Sequence, residues 1–110
     1  MKVEQKGQTV TITDTQDDLV SFLMKVTHEY KTFEKYHIIM DVIKHKALSV
    51  KELNSFLPLS KIHKKAEKSF VIVAGGIDFN AVSDKLSIVP TLLEANDTIA
   101  MEDIERDLGF

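Results

Sequence analysis

The sequence predicts an α/β domain with a mixed sheet of four to five strands, flanked by helices, and a β-hairpin at its N-terminus. Two almost continuous apolar runs, at residues 37–43 and 70–74, are typical of central strands that helices cover on both faces. Segments with helical apolar spacing alternate with these runs, which predicts a mostly parallel sheet with right-handed crossovers. A chain of 110 residues, 44% of them hydrophobic and 28% charged, has the length and composition of one domain spanning residues 1–110.

The N-terminal segment predicts a hairpin followed by an amphipathic helix. A turn at residues 6–7 precedes residues 9–13, in which threonine alternates with Val or Ile as in a half-buried strand. Thr15 is the predicted helix cap, and Asp17 and Asp18 are expected in the first turn. The apolar residues of this helix recur along one face: Leu19, Phe22, Leu23, Val26, Tyr30 and Phe33.

The middle of the chain predicts a capped helix between the two apolar strands. Ser49 and Glu52 have the spacing of a capping box, in which each residue's side chain accepts from the other's backbone amide. Pro58 predicts a kink or a restart, because proline lacks an amide donor and crowds the preceding turn. The apolar stripe is expected to continue beyond it through Leu59, Ile62 and Ala66.

The last third predicts a short helix at residues 79–86, a short strand at residues 88–89 and a final acidic helix ending near residues 108–109. Thr91 and Glu94 form a second capping-box pattern at its start. Its acidic residues are expected on the solvent side: Asp97, Glu102, Asp103, Glu105 and Asp107. Its apolar residues are either core or a stripe offered to another chain: Met101, Ile104, Leu108 and Phe110.

The composition excludes several classes of site. With no cysteine, the chain has no disulfide, zinc–cysteine site, iron–sulfur cluster or thiol nucleophile. None of the four histidines has the two- to four-residue spacing of paired metal ligands, so no metal or other cofactor is predicted. His28 and His63 are expected on polar helix faces, and His37 opens a strand.

The charges are unevenly distributed. The net charge is −3, but residues 31–70 carry 9 Lys against 4 acids, whereas residues 71–110 carry 2 cations against 8 acids. The only arginine, Arg106, lies among acids. Since arginine is the residue that most often contacts base edges, specific nucleic-acid binding is not expected.

No apolar run approaches the ~20 residues of a membrane span, and the N-terminus lacks the apolar segment of a secretory signal, so a cytoplasmic location is predicted.

The carboxyl ends of parallel strands are where ligands and partners of such sheets bind. One of them is the loop at residues 44–48, whose cationic side chains lie next to the amides of the helix that Ser49 begins. This basic loop is either an anion or phosphate site or a solvated surface segment.

Asp41 lies within an apolar run, so it is either a general acid with a raised pKa or, more commonly, a carboxylate that accepts from nearby amides. Residues 75–76, two glycines, lack the rest of a phosphate-loop motif and predict a tight turn.

This order of elements, and several segments, resemble the STAS domain family (sulfate transporter and anti-sigma-factor antagonist domains). The strand at residues 38–42, ending Met40-Asp41-Val42, is similar to the family's central strand, and Ser49 stands eight residues beyond Asp41, where the family's Asp-Ser-Ser-Gly motif begins. Residues 70–73 and 88–95 are similar to its later strands and its last helix start. The resemblance covers about residues 8–105.

The resemblance implies a non-catalytic, regulatory module that docks a protein partner, rather than an enzyme. Family members are switched by phosphorylation of a motif serine or threonine, but Val50 and Lys51 stand at those positions here. Ser49 is a phosphorylation candidate only if the alignment shifts by one residue, and a role as helix cap is the preferred interpretation. The predicted contact surface is the loop and helix start at residues 44–51, and a nucleotide or small anion at the same loop is the alternative. The residues predicted to bind are Lys44, His45, Lys46, Ser49 and Lys51.

Overall fold

The computed structural model describes residues 1–16, 18–46, 48–76 and 82–109. The elements of these residues are β1 (Lys2–Lys6), β2 (Thr9–Thr13), α1 (Leu19–His28), α2 (Tyr30–Phe33), β3 (His37–Asp41), α3 (Val50–Asn54), α4 (Leu57–Lys65), β4 (Phe70–Val73), β5 (Ser87–Val89) and α5 (Leu92–Asp107). Asp17, Ala47, Phe110 and the first part of the helix predicted at residues 79–86 lie outside the described residues. No helix among the residues described is both long enough and apolar enough to cross a bilayer.

The strands form one mixed sheet in the order β1-β2-β3-β4-β5, which confirms the predicted fold class. The hairpin strands β1 and β2 are antiparallel, and all later neighbours are parallel. All five residues of β3 are buried because β2 and β4 flank the strand and helices cover both of its faces. This explains the continuous apolar run from which the central strand was predicted.

Helices cover the two faces of the sheet unequally. Alternate residues of a strand point to opposite faces, and Ile38 and Met40 belong to the larger core, which α1, α2, α3 and α4 complete. Ile39 points to the other face, where it joins Val71 and Val73 against α5. The buried residues of α5 are Ala95 and Ile99. The helix start that follows β3 and the final helix α5 therefore lie on opposite sides of the sheet.

The first helix begins later than predicted. Asp18, not Thr15, is its cap: the Asp18 carboxylate accepts from the Ser21 amide at 3.1 Å. Thr15 lies three residues too early for this contact, and its hydroxyl accepts instead from the amino group of Met1 at 2.9 Å. The predicted apolar face is confirmed, with Leu19, Phe22, Val26 and Phe33 buried, although the helix is interrupted at Glu29.

The restart predicted at Pro58 is confirmed, because α3 ends at Asn54 and α4 begins at Leu57 with the proline in its first turn. The stripe predicted beyond it is wrong in part. Leu59 is buried, but Ile62 is 55% exposed and Ala66 is exposed as well, and His63 is fully buried instead. Because α4 is a new helix, its rotation about its own axis is set independently of α3. Residues 59, 60 and 63 face the core, at the i, i+1, i+4 spacing of one helix face. The prediction that His63 lies on a polar helix face is therefore wrong.

The segment between β4 and α5 differs from the prediction where it is described. Residues 82–86 form bends and turns rather than a helix, although Val82 and Leu86 are buried. Thr91 caps α5 as predicted, accepting from the Glu94 amide at 3.1 Å. The Glu94 carboxylate contacts the Thr91 hydroxyl at 3.3 Å, so only half of the predicted capping box forms.

Candidate functional site

The carboxyl ends of the parallel strands meet at one edge of the sheet, as the site prediction required. Beyond the strand residues, the amide of Asp14 donates to the carbonyl of Asp41 at 3.1 Å, and that of Val42 donates to Val73 at 3.0 Å. Asp41 does not stand free at this edge: its carboxylate accepts from the amide of Ile43 at 3.2 Å. It therefore has the amide-capping role that was the commoner of its two predicted roles.

The loop after β3 is anchored by a contact between His45 and the buried carboxylate of Asp14. Asp14 is 3% exposed, and its side chain accepts from the Gln16 amide at 3.0 Å and contacts Nε2 of His45. The His45 amide also donates to the carbonyl of Val42 at 3.0 Å. His45 was predicted to bind an anion or a partner, but its imidazole faces a carboxylate of its own chain instead. Asp14 was not predicted as a site residue, although an acid directly after the end of a strand was the available signal.

The remaining predicted residues lie near one another but differ in surroundings. Lys44, Lys46 and Lys51 are exposed to solvent. Ser49 is the cap of α3, and both halves of its capping box are present, each with a 3.1 Å contact to Glu52. Hydrogen bonding from the backbone amide and the hydroxyl of Ser49 holds the pKa of the Glu52 carboxyl below its usual value. The anion alternative thus keeps two loop lysines but loses His45, and it stays a prediction.

Beside this helix start lies a groove of about 1040 Å³ between α1 and α3. Val20 and Met24 line it and are 70% and 68% exposed. Lys25 and Lys51 are among its polar residues. The full lining is Leu19, Val20, Leu23, Met24, Lys25, Thr27, His28, Glu29, Lys51, Glu52 and Ser55. We call this surface the α1–α3 groove.

The α1–α3 groove was not predicted from the sequence. Val20 and Met24 lie outside the apolar face from which α1 was predicted, and no role was predicted for them. The two are four residues apart, so they lie on one side of the helix, next to the core face rather than on it. Two large apolar side chains at this spacing on an otherwise polar side were the available signal. Of the predicted residues, Lys51 lines the groove directly.

A second polar cluster lies at the opposite, amino edge of the sheet, where it anchors α5. Its members are His37, Ser69, Glu102, Asp103 and Arg106. The His37 ring accepts from the Ser69 amide at 3.0 Å and its Nε2 lies 3.1 Å from Asp103. Burial lowers the pKa of His37, against the raising effect of Asp103. Glu102 and Asp103, predicted on the solvent side, are half-buried here because they serve this cluster.

The cluster contains a serine, a histidine and an aspartate, the residue types of a catalytic triad, but their geometry differs from that of a triad. A serine nucleophile needs its hydroxyl on the imidazole that removes the proton. Here the Ser69 hydroxyl donates to Glu102 and accepts from Arg106 at 2.8 Å, and only the backbone amide of Ser69 reaches His37. The imidazole therefore does not activate the hydroxyl, and the hydrogen bonds of Ser69 to Glu102 and Arg106 tie α5 to the residue that precedes β4.

Within residues 1–16, 18–46, 48–76 and 82–109, no group of three or more His, Asp or Glu side chains is placed to hold a metal ion. Comparison of the sequence with protein-family models and with curated proteins gives no match.

Proposed function

We propose that this chain is a non-catalytic module that docks a protein partner in the α1–α3 groove, with Lys51 and the basic loop at residues 44–46 on the adjoining surface. The observation that carries the proposal is the exposure of Val20 and Met24 in a concave surface. Other apolar side chains of α1 are buried or half-buried. Contiguous exposed apolar surface with a polar rim is typical of interaction sites.

The groove also indicates the chemistry of its occupant. A channel between two helices, apolar along its length and open to solvent, fits an amphipathic helix that lays its apolar face inward. Lys25 and Lys51 flank the apolar side chains, but Glu29 and Glu52 also line the groove, so its lysines and carboxylates are balanced. The exposed lysines Lys44 and Lys46 of the adjoining loop carry the positive charge of this surface. Acidic residues are therefore favoured in the part of the occupant that contacts this loop.

We extend the proposal to kinship with the STAS domain family. The N-terminal hairpin, the consecutive parallel strands and the capped helix after the central strand all support it. The resemblance implies partner contact at the same loop and helix start. The proposal includes a cytoplasmic location, which the lack of cysteine favours. It omits phosphorylation, because a phosphate on Ser49 would lie next to the Glu52 carboxylate that completes the cap.

Site-directed photocrosslinking in the native cell tests the groove. A photoreactive benzoylphenylalanine at position 24 is expected to capture a defined protein. The same group at position 62, on α4 and outside the groove, is the matched control because Ile62 is also apolar and 55% exposed. Val20→Glu and Lys51→Glu should each reduce the position-24 product at least about tenfold, whereas Ile62→Glu should not.

A captured protein that is identical at positions 24 and 62, or capture at 24 that survives Val20→Glu, would refute the groove as the docking site. The double variant Lys44→Glu/Lys46→Glu measures the loop separately. Loss of the product in that variant places the loop in the interface, and an unchanged product removes the loop from it. Thermal unfolding of each variant confirms that the exposed substitutions leave the fold intact.

A further inference from the structure

The two halves of α5 are held to the sheet in different ways. In the first half, Ala95 and Ile99 are buried against β3 and β4. Among residues 100–109, all of which the structure describes, none is buried. We call these residues the C-terminal flap. Its half-buried side chains are all charged: Glu102, Asp103 and Arg106.

The C-terminal flap contacts two buried residues at the amino edge of the sheet, Ser69 and His37. The Ser69 hydroxyl donates to Glu102 and accepts from Arg106 at 2.8 Å. Nε2 of His37 lies 3.1 Å from Asp103. His37 begins β3 and points to the face that α5 covers, because alternate residues of a strand share a face. The flap therefore lies over His37, which is 5% exposed.

The ring of His37 fits this position only in its neutral form. Its Nδ1 accepts from the Ser69 amide at 3.0 Å, so the ring proton is on Nε2, which donates to Asp103. A second proton, on Nδ1, would point at the amide hydrogen of Ser69, and this fully buried amide would lose its acceptor. A ring that moves out to solvent has water as the partner of both N–H groups. Protonation therefore favours a conformation in which the C-terminal flap no longer covers His37.

The charges around His37 act in both directions. Burial lowers the pKa of His37, Arg106 and Lys68 lower it further, and Asp103 opposes them. Because a ring in water has a pKa near 6.5, it binds the proton more tightly than the covered ring, and docking of the flap weakens as the pH falls below that value. The titratable and charged groups that surround His37 are Asp103, Glu102 and Arg106 of α5, Lys68 before β4 and His63 of α4, whereas its β2 neighbour Thr9 is uncharged.

We propose that the C-terminal flap is a pH-dependent element, which is docked on Ser69 and His37 while His37 is neutral and leaves the sheet when His37 is protonated. Ala95 and Ile99 keep the first half of α5 in place. Release uncovers Ser69 and His37, so the surface at the amino edge of the sheet differs between neutral pH and about pH 5. The proposal uses no part of the α1–α3 groove, which lies on the other face of the sheet.

Hydrogen exchange of the purified protein tests the release. Two helical turns without packing are marginal in water, so an undocked flap exposes its amides to exchange. Between about pH 7 and pH 5, the protection of amides 103–107 should fall at least about tenfold, after correction for the intrinsic effect of pH on exchange.

Two variants identify the group that is responsible. His37→Asn is the matched control, because the Asn oxygen replaces Nδ1 as acceptor for the Ser69 amide and does not titrate in this range. Protection of its amides 103–107 should change less than about twofold. His63→Gln removes the other buried histidine and keeps His37, so the flap of that variant should retain the tenfold fall.

Three results overturn the proposal: a flap that stays protected down to about pH 5, an equal fall in His37→Asn, or a fall that His63→Gln removes. If His37→Asn does not fold, the wild type decides. NMR of the imidazole nitrogens measures the pKa of His37, and the loss of flap protection should set in below pH 6.5 and level off near that pKa. A His37 pKa of 6.5 or above overturns the proposal.

Discussion

Acidification is expected to destabilise the protein through His63, which is fully buried in α4. Its Nε2 lies 2.7 Å from the carbonyl of Tyr36, which only accepts, so Nε2 carries the ring proton. Its Nδ1 then accepts from the hydroxyl of Tyr30 at 2.8 Å. The rings of Tyr30 and Phe70 lie edge-on to it, with centroids 5.5 and 6.2 Å away. Both nitrogens are satisfied in the neutral form.

The structure sets the size and the pH range of the effect. Burial, aided by His37, Lys68 and Arg106, lowers the pKa of His63 from 6.5 to about 4, against the raising effect of the Tyr36 hydrogen bond. The unfolded chain therefore takes up this proton more readily than the folded chain. The difference between the His63 pKa of the unfolded chain and that of the folded chain corresponds to about 3 kcal/mol of folding stability. This stability is present in full above pH 6.5 and is lost as the pH falls to about 4.

Urea unfolding between pH 7.5 and 4.5 measures this loss, and NMR of the imidazole nitrogens measures the pKa and the tautomer directly. His63→Gln should lower the free energy of unfolding at neutral pH but flatten its fall below pH 6.5. His28→Gln is the matched control, because that histidine is exposed on α1 and should leave the slope unchanged. A His63 pKa near 6.5, or an equal slope in His63→Gln and the wild type, would refute the reasoning.

Three further substitutions test local contacts by thermal or urea unfolding. Ser49→Ala should cost about 1 kcal/mol because a first-turn amide of α3 loses its acceptor, and Ser49→Asp should keep most of that stability. Asp14→Ala should cost about 2 kcal/mol, since it leaves His45 and a backbone amide without their buried acceptor; a loss below ~0.5 kcal/mol would contradict this. Gly76→Ala should cost about 1 kcal/mol because φ is +66° there. Gly75→Ala lacks that backbone strain and should cost less.

The fold could be predicted because its strongest signals are local. A strand buried on both faces needs apolar residues at every position, and β3 and β4 show this directly in sequence. The cap at Ser49 needs only residues 49–52. His63 could not be placed in this way, because its partners Tyr30 and Tyr36 are 33 and 27 residues away. A histidine flanked by lysines is expected on a polar helix face, and only the tertiary contacts of His63 show that it is buried.

The location of the candidate site in the fold could be predicted from the sequence, but the side-chain contacts within it could not. Strand order placed the loop of residues 44–46 and the start of α3 at one edge, and the structure confirms that placement. The pairing of His45 with Asp14 spans 31 residues, so no spacing rule reveals it. The α1–α3 groove depends on how far two helices stand apart, which is a property of packing. The apolar pair Val20 and Met24 was its only trace in the sequence.

The strictly consecutive strand order has a consequence for how the chain acquires its structure during synthesis. Each new strand pairs with the strand that left the ribosome just before it, so no strand waits for a distant partner. Every closure spans only one connecting segment, which keeps the entropy lost at each step small and favours rapid folding. The sheet can thus grow in the direction of translation, with α5 docking last on the face that β3, β4 and β5 complete.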